Sequence, residues 1–149
     1  MASFREFEQD APELAGRVRD AFGRGRHATM ATLRRDGSPR ISGTEVEFDP
    51  AGALRLGSMA GAVKARDLLR DPRVAVHSPT VDPGESGADW PGEAKVAGRA
   101  LAGPGGADGS HAFEIDLDEV VWTGLDETRT RLLIRSWHPG RGVEDHVRG

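Results

Sequence analysis

The chain has no cysteine, no long apolar run and no excess of basic residues over acidic ones. The first absence excludes disulfides, thiolate metal sites and cysteine nucleophiles. The second leaves no segment near the roughly 18 apolar residues of a membrane-spanning helix. The third, a formal net charge of −4, argues against bulk nucleic-acid binding, which needs a basic footprint. The first residues, MASFREFEQD, lack the positive-then-apolar order of a secretory signal, so a cytoplasmic protein is the expectation. The five histidines, His27, His77, His111, His138 and His146, show no H-x-H or H-E-x-x-H spacing, and no metal site is expected.

What is present is a soluble-protein composition, 37% hydrophobic and 30% charged, with 20 glycines to make tight turns. A length of 149 residues suits one domain, able to bury roughly 70% of its unfolded surface. Residues 1–149 are therefore read as a single unit without internal repeats.

The first 24 residues carry helical signals. Ser3-x-x-Glu6 and Asp10-x-x-Glu13 resemble capping boxes, and Pro12 suits a first helical turn. Leu14, Val18, Ala21 and Phe22 then form one apolar stripe, which predicts two short helices or one broken near Asp10. From His27 the rhythm becomes that of strands. HATMATL and the run Arg40–Phe48 flank Asp36-Gly37, a hairpin signal. Alternation puts Ser42, Thr44, Val46 and Phe48 on one face of the second strand and Ile41, Gly43, Glu45 and Glu47 on the other.

A turn at Asp49–Gly52 leads to a third strand from Leu54, and the run to Val76 holds the chemistry. Gly57-Ser58-Met59-Ala60-Gly61 lets backbone N–H groups converge, and Lys64 follows in the first turn of a helix. Helix N-termini offer unpaired amides and a partial positive charge, which favour phosphate. The helix is expected to bury Ala62, Ala65, Leu68 and Leu69 and to turn Arg66, Asp67 and Arg70 outward, ending before Pro72. Two readings of Lys64 stand: a phosphate ligand, or the wet side of an amphipathic helix. Arg40 likewise reads as a groove residue or as an exposed strand charge.

Strand four covers Val74 and Val76, and Ser78–Gly92 is a loop carrying Trp90. Strand five runs from Glu93 to Leu101, and Ala112–Leu125 and Thr130–Trp137 give two more. The glycine-rich connection Ala102–Gly109 is no dinucleotide fingerprint, because the third glycine position is Asp108 and no helix follows. The polar tail from His138 to Gly149 is expected to be partly disordered. Six or seven strands at hairpin spacing, with helices at the N-terminus and between strands three and four, predict a mainly β, antiparallel barrel. Glu45 and Glu47, on one strand face, decorate a solvated surface rather than flank a glycoside. Ser42 and Ser58 lie outside any G-x-S-x-G elbow, so a hydrolase is not indicated.

Ala31-Thr32-Leu33-Arg34-Arg35-Asp36-Gly37-Ser38-Pro39, Gly57-Ser58, and the run Lys64–Val74 (KARDLLRDPRV) together resemble the pyridoxamine 5′-phosphate oxidase-like flavoproteins. The likeness extends from about Arg26 to Leu101 and loosely into Ile134–Gly140. It implies a homodimeric split β-barrel with FMN, or a deazaflavin, bound at the subunit interface. By position, Lys64 would contact the cofactor phosphate, Ser58 and Met59 would line its approach, and Arg40, Ile41 and Ser42 would border the ring or ribityl chain. Trp90 would close over the site from the partner subunit or anchor its own loop, with Trp137 a weaker candidate for the same rim. Many relatives place a second cation two residues before the lysine; here that residue is Ala62, and Arg40 or Arg66 would have to supply the charge. The implied activity is a flavin-dependent oxidoreductase acting on a small organic substrate. The alternative is a non-catalytic flavin, deazaflavin or haem carrier or sensor. Trp90, Trp122 and Trp137, taken as partly outward, would also suit an interface.

Overall fold

The computed structural model describes residues 2–149. Two helices, α1 (Phe4–Asp10) and α2 (Pro12–Gly23), precede the sheet. Ser3 caps α1 by accepting the Glu6 N–H at 3.1 Å, as its spacing predicts. Asp10 does not cap α2: Ala11 is the N-cap residue, with no side-chain bond, and Pro12 opens the helix. The Asp10 carboxylate instead accepts the indole N–H of Trp137 at 2.7 Å.

Nine strands follow among the described residues, against the six or seven expected. They are β1 (Ala28–Leu33), β2 (Pro39–Thr44), β3 (Val46–Phe48), β4 (Leu54–Ser58), β5 (Arg73–His77), β6 (Glu93–Ala102), β7 (His111–Leu125), β8 (Leu132–His138) and β9 (Gly142–Arg148), with α3 (Val63–Arg70) between β4 and β5. All the pairings between strands are antiparallel, in the order β2-β1-β5-β6-β7-β4-β3, with β8 on β7 and β9 on β8. The fold is a mainly antiparallel split barrel.

Two differences account for the count. The single run Arg40–Phe48 divides at Glu45: β2 pairs with β1 on one side of the barrel, and β3 pairs with β4 on the other. The chain crosses the split at that residue. The tail, expected to be partly disordered, forms β9 along the whole of β8. Gly140 and Gly142, with φ of +80° and +72°, make the tight turn, and Arg135 pairs with Asp145 across the two strands at 2.9 Å. Its polarity is that of an exposed edge strand, not of an unfolded one.

The core lies between the inner face of the sheet and helices α1 and α2. Phe4 and Phe7 meet edge to face at 5.3 Å, and Phe7 packs on Trp137 at 4.8 Å. Trp122 and Trp137 are therefore core residues, 5% and 2% exposed, which corrects the expectation that they point outward. The split itself separates edge strand β2 from β4, and α3 begins at one end of it.

Candidate functional site

Strand β4 ends at Ser58, and the turn Met59–Ala62 redirects the chain into α3. Gly61 takes φ +74°, a conformation that side chains with a Cβ rarely adopt, so glycine is favoured in this tight reversal. Ala62 is the N-cap of α3, and among the described residues no side chain caps the helix amides. Lys64 stretches from the first turn across the split and donates to the Gly43 carbonyl of β2 at 2.7 Å. The hydroxyl of Ser58 is buried without a hydrogen-bond partner among the described residues. An orphaned hydroxyl, an ammonium with N–H groups to spare and uncapped helix amides thus meet at one corner.

That corner is one end of a cleft of about 850 Å³ running along the split. Gly43, Thr44 and Glu45 form one wall, and Leu56, Ser58 and Met59 the other. Met59 stands 82% exposed at the rim. The volume falls within the usual range for small-molecule sites, roughly 300–1,000 Å³. Charge is distributed unevenly in it. Lys64 is the cation at the α3 end, while Glu45, Glu47 and Asp108 contribute carboxylates elsewhere along the cleft. Arg55 also lines it, but its guanidinium is engaged by Asp49, whose carboxyl is held low chiefly by the Ala53 amide and then by Arg55.

The structure does not bring all the expected residues together. Ser58, Met59 and Lys64 share the cleft. Arg40 turns instead into a buried cluster around Asp67. The Asp67 carboxylate, 2% exposed, accepts from Arg40 Nε at 2.8 Å, Thr32 Oγ1 at 2.7 Å and Arg70 Nη2 at 3.0 Å. Burial pushes this carboxyl up, but the bonds from Arg40, Thr32 and Arg70 outweigh it and hold it below the usual range. Asp67 is thus a buried anchor rather than an outward residue of α3, and Leu69, expected inside, is 57% exposed. Ile41 points to the open outer face of β2, and Ser42 is half-buried on the inner side.

Trp90 lies elsewhere in the chain, in a cleft with Arg17 and Trp122. Its loop is pinned by Arg24 donating to the Gly92 carbonyl at 2.9 Å and by Arg129 donating to the Trp90 carbonyl at 3.2 Å. Trp137, the weaker rim candidate, is buried against Phe7 and Asp10.

Sequence reading missed the loop 103–110 as a site element. Pairing of Ser58 with His111 between β4 and β7 brings that loop over the cleft, where Asp108 and Ser110 line it. A glycine-rich stretch some fifty residues from Ser58 gives no local signal of this; only the strand register does.

The chain matches no family model and no curated protein sequence. Among solved structures it is similar to a pyridoxamine 5′-phosphate oxidase-related, FMN-binding protein from Nostoc punctiforme, with a TM-score of 0.60 at 10% identity, covering 100% of this chain and 98% of that one. It is similar to an F420 reductase, with a TM-score of 0.51 at 19% identity over 67% of this chain and 92% of that one. It is also similar to a protein of unknown function from Agrobacterium tumefaciens, with a TM-score of 0.59 at 17% identity over 79% of this chain, and spans only 59% of that protein's length. The fold is thus the one these proteins share, in agreement with the resemblance read from the sequence.

Proposed function

We propose that the chain binds a phosphorylated flavin, FMN or a deazaflavin, in the cleft along the split and serves as an oxidoreductase for a small organic substrate. The observation that carries this reading is the corner at Ser58 and Lys64. A buried hydroxyl without a partner is costly unless a ligand satisfies it, and an uncapped helix start beside an ammonium favours an anion. Beyond the corner, carboxylates of the cleft can accept hydrogen bonds from hydroxyl groups. One anionic end followed by a hydroxylated chain is the pattern of a ribityl phosphate. The shared fold, found in an FMN-binding protein and in an F420 reductase, supports both cofactors.

In this reading Lys64 and the first amides of α3 hold the phosphate, and Ser58 donates to it or to the adjoining chain. Lys64 also keeps β2 against α3 through Gly43, so the walls of the cleft are set before the cofactor arrives. The bound ring would supply hydride transfer, so no acid–base pair is demanded of the protein. In this reading Arg40, Ile41, Ser42 and Trp90 would reach the cofactor at an interface between two copies, and we include a homodimer in the proposal.

The test is calorimetric titration of the purified protein with FMN and with a deazaflavin. Lys64→Ala should weaken the preferred cofactor at least tenfold, about 1.5–3 kcal/mol for a charge-assisted hydrogen bond. Failure of both cofactors to bind the unaltered protein would sink the reading. Binding without reduction by nicotinamide donors would make the chain a carrier instead.

A further inference from the structure

Sulfur is scarce in this chain. It has no cysteine, and its methionines are Met1, Met30 and Met59. Met30, on β1, is 2% exposed within the hydrophobic core. Met59 is the opposite case: at 82% it is the most exposed large apolar side chain among the described residues. Sulfur open to solvent is therefore confined, among the described residues, to this one thioether.

Its place is as particular as its exposure. Met59 directly follows Ser58 and lines the cleft whose corner also holds Lys64 and the start of α3. The Ala62 N–H donates to the Met59 carbonyl at 3.1 Å, so the turn fixes the backbone while the side chain stays free. The residues that follow, Ala60, Gly61 and Ala62, have no side-chain atom beyond Cβ to shield the sulfur. A methionine side chain is unbranched and flexible, and its thioether is soft and polarizable. At the rim it offers apolar contact to whatever enters the cleft.

Peroxide converts a methionine from a flexible apolar side chain into a polar sulfoxide, and sulfoxide reductases reverse the change. We infer that Met59 is a modification site whose oxidation to the sulfoxide weakens anion binding at the corner of Ser58 and Lys64. A sulfur lone pair attacks one oxygen of hydrogen peroxide, and the O–O bond breaks. That oxygen stays on sulfur, and the other leaves as water after a proton transfer. The sulfur loses two electrons and the peroxide gains them. The product carries a strong dipole whose negative end is an oxygen at the cleft rim. Partial negative charge there opposes the anion that the ammonium and the helix amides attract. The inference rests on the cofactor reading above and adds a regulation to it: peroxide lowers cofactor occupancy, and reduction of the sulfoxide restores it.

The experiment treats the purified protein with dilute hydrogen peroxide and maps the added oxygen by peptide mass spectrometry. Met59 should oxidise at least about tenfold faster than the buried Met30. Equal rates would overturn the proposal. After removal of the peroxide, treated and untreated proteins are titrated with FMN and with the deazaflavin by calorimetry. The oxidised protein should bind the preferred cofactor roughly fivefold more weakly, and methionine sulfoxide reductase should return its affinity to the untreated value. Met59→Leu, whatever its own affinity, should bind equally before and after peroxide. Unchanged affinity after oxidation, or an equal loss in Met59→Leu, would overturn the proposal while leaving the cofactor reading intact. Failure of the untreated protein to bind either cofactor would instead remove that reading, and this switch with it.

Discussion

Asp67 does more for this fold than a surface helix residue could. Its two oxygens take three donors from three different elements: Thr32 on β1, Arg40 on β2 and Arg70 on α3 itself. The arginine side chains stay about one-third exposed, so solvent screens part of the attraction, but the carboxylate does not see water. Replacing it with Asn keeps the shape and loses the charge, and turns an amide N–H toward a guanidinium. Removing one partner of a buried pair leaves the others uncompensated, and Asp67→Asn should cost about 3 kcal/mol. Urea unfolding would measure it; a loss within the roughly 0.5 kcal/mol of an ordinary surface change would refute the anchoring role. Sequence periodicity could not reveal this residue. At helical spacing Asp67 falls one position from Leu68, and only the arrival of β1 and β2 against that side of α3 makes a carboxylate the better occupant than Leu69.

At the scale of elements, the turn from β4 into α3 was legible because its signals are local. Glycine for a positive φ, a short turn and a lysine at a helix start are adjacent in the chain, and the structure keeps them adjacent in space. The rest of the cleft was not legible, since Glu45, Asp108 and Ser110 reach it through strand crossing and register. The hairpin β7–β8 shows the same division. Its existence follows from turn chemistry, but the way Asp126 holds it does not. That carboxylate accepts from Thr128 Oγ1 at 2.8 Å and from the amides of Thr130 and Arg131, and Arg131 Nε adds a further bond at 3.1 Å. These bonds, the Thr128 hydroxyl first, bring its pKa down to about 2. Asp71 is also drawn down to about 2, chiefly by the Arg73 guanidinium. A depressed carboxylate pKa contributes stability that is complete above the unfolded value of about 4 and is lost as pH falls toward the folded value. Thermal stability should therefore drop from pH 4 toward pH 2, and Asp126→Asn should flatten that decline. An unchanged acid limb in the variant would show that Asp126 is not among the groups responsible.

For the whole molecule, the outer face of the sheet is the part a single chain leaves unexplained. Register places Ile41, Ala31, Ala75 and Ala97 in one row across β2, β1, β5 and β6. The row is apolar throughout, its side chains are small except at Ile41, and Ile41 is 76% exposed. The strand carrying it also turns Arg40 inward to the Asp67 cluster, so the outer position is held rigidly. This row of alanines allows close approach of a second sheet, and an isoleucine at its end supplies area to bury, roughly 1.5–3 kcal/mol for a fully covered side chain. This is the face on which the proposed homodimer would form, leaving the clefts along the split open at its edge. Ile41→Asp places a charge in that contact while altering nothing in the core. Light scattering should report a dimer for the unaltered protein and a monomer for the variant, with the far-ultraviolet circular dichroism unchanged. If Ile41→Asp also weakens the cofactor beyond the effect expected of a residue with no contact to Ser58 or Lys64, the second copy completes the site. A monomeric unaltered protein that binds cofactor with full affinity would instead confine the site to one chain.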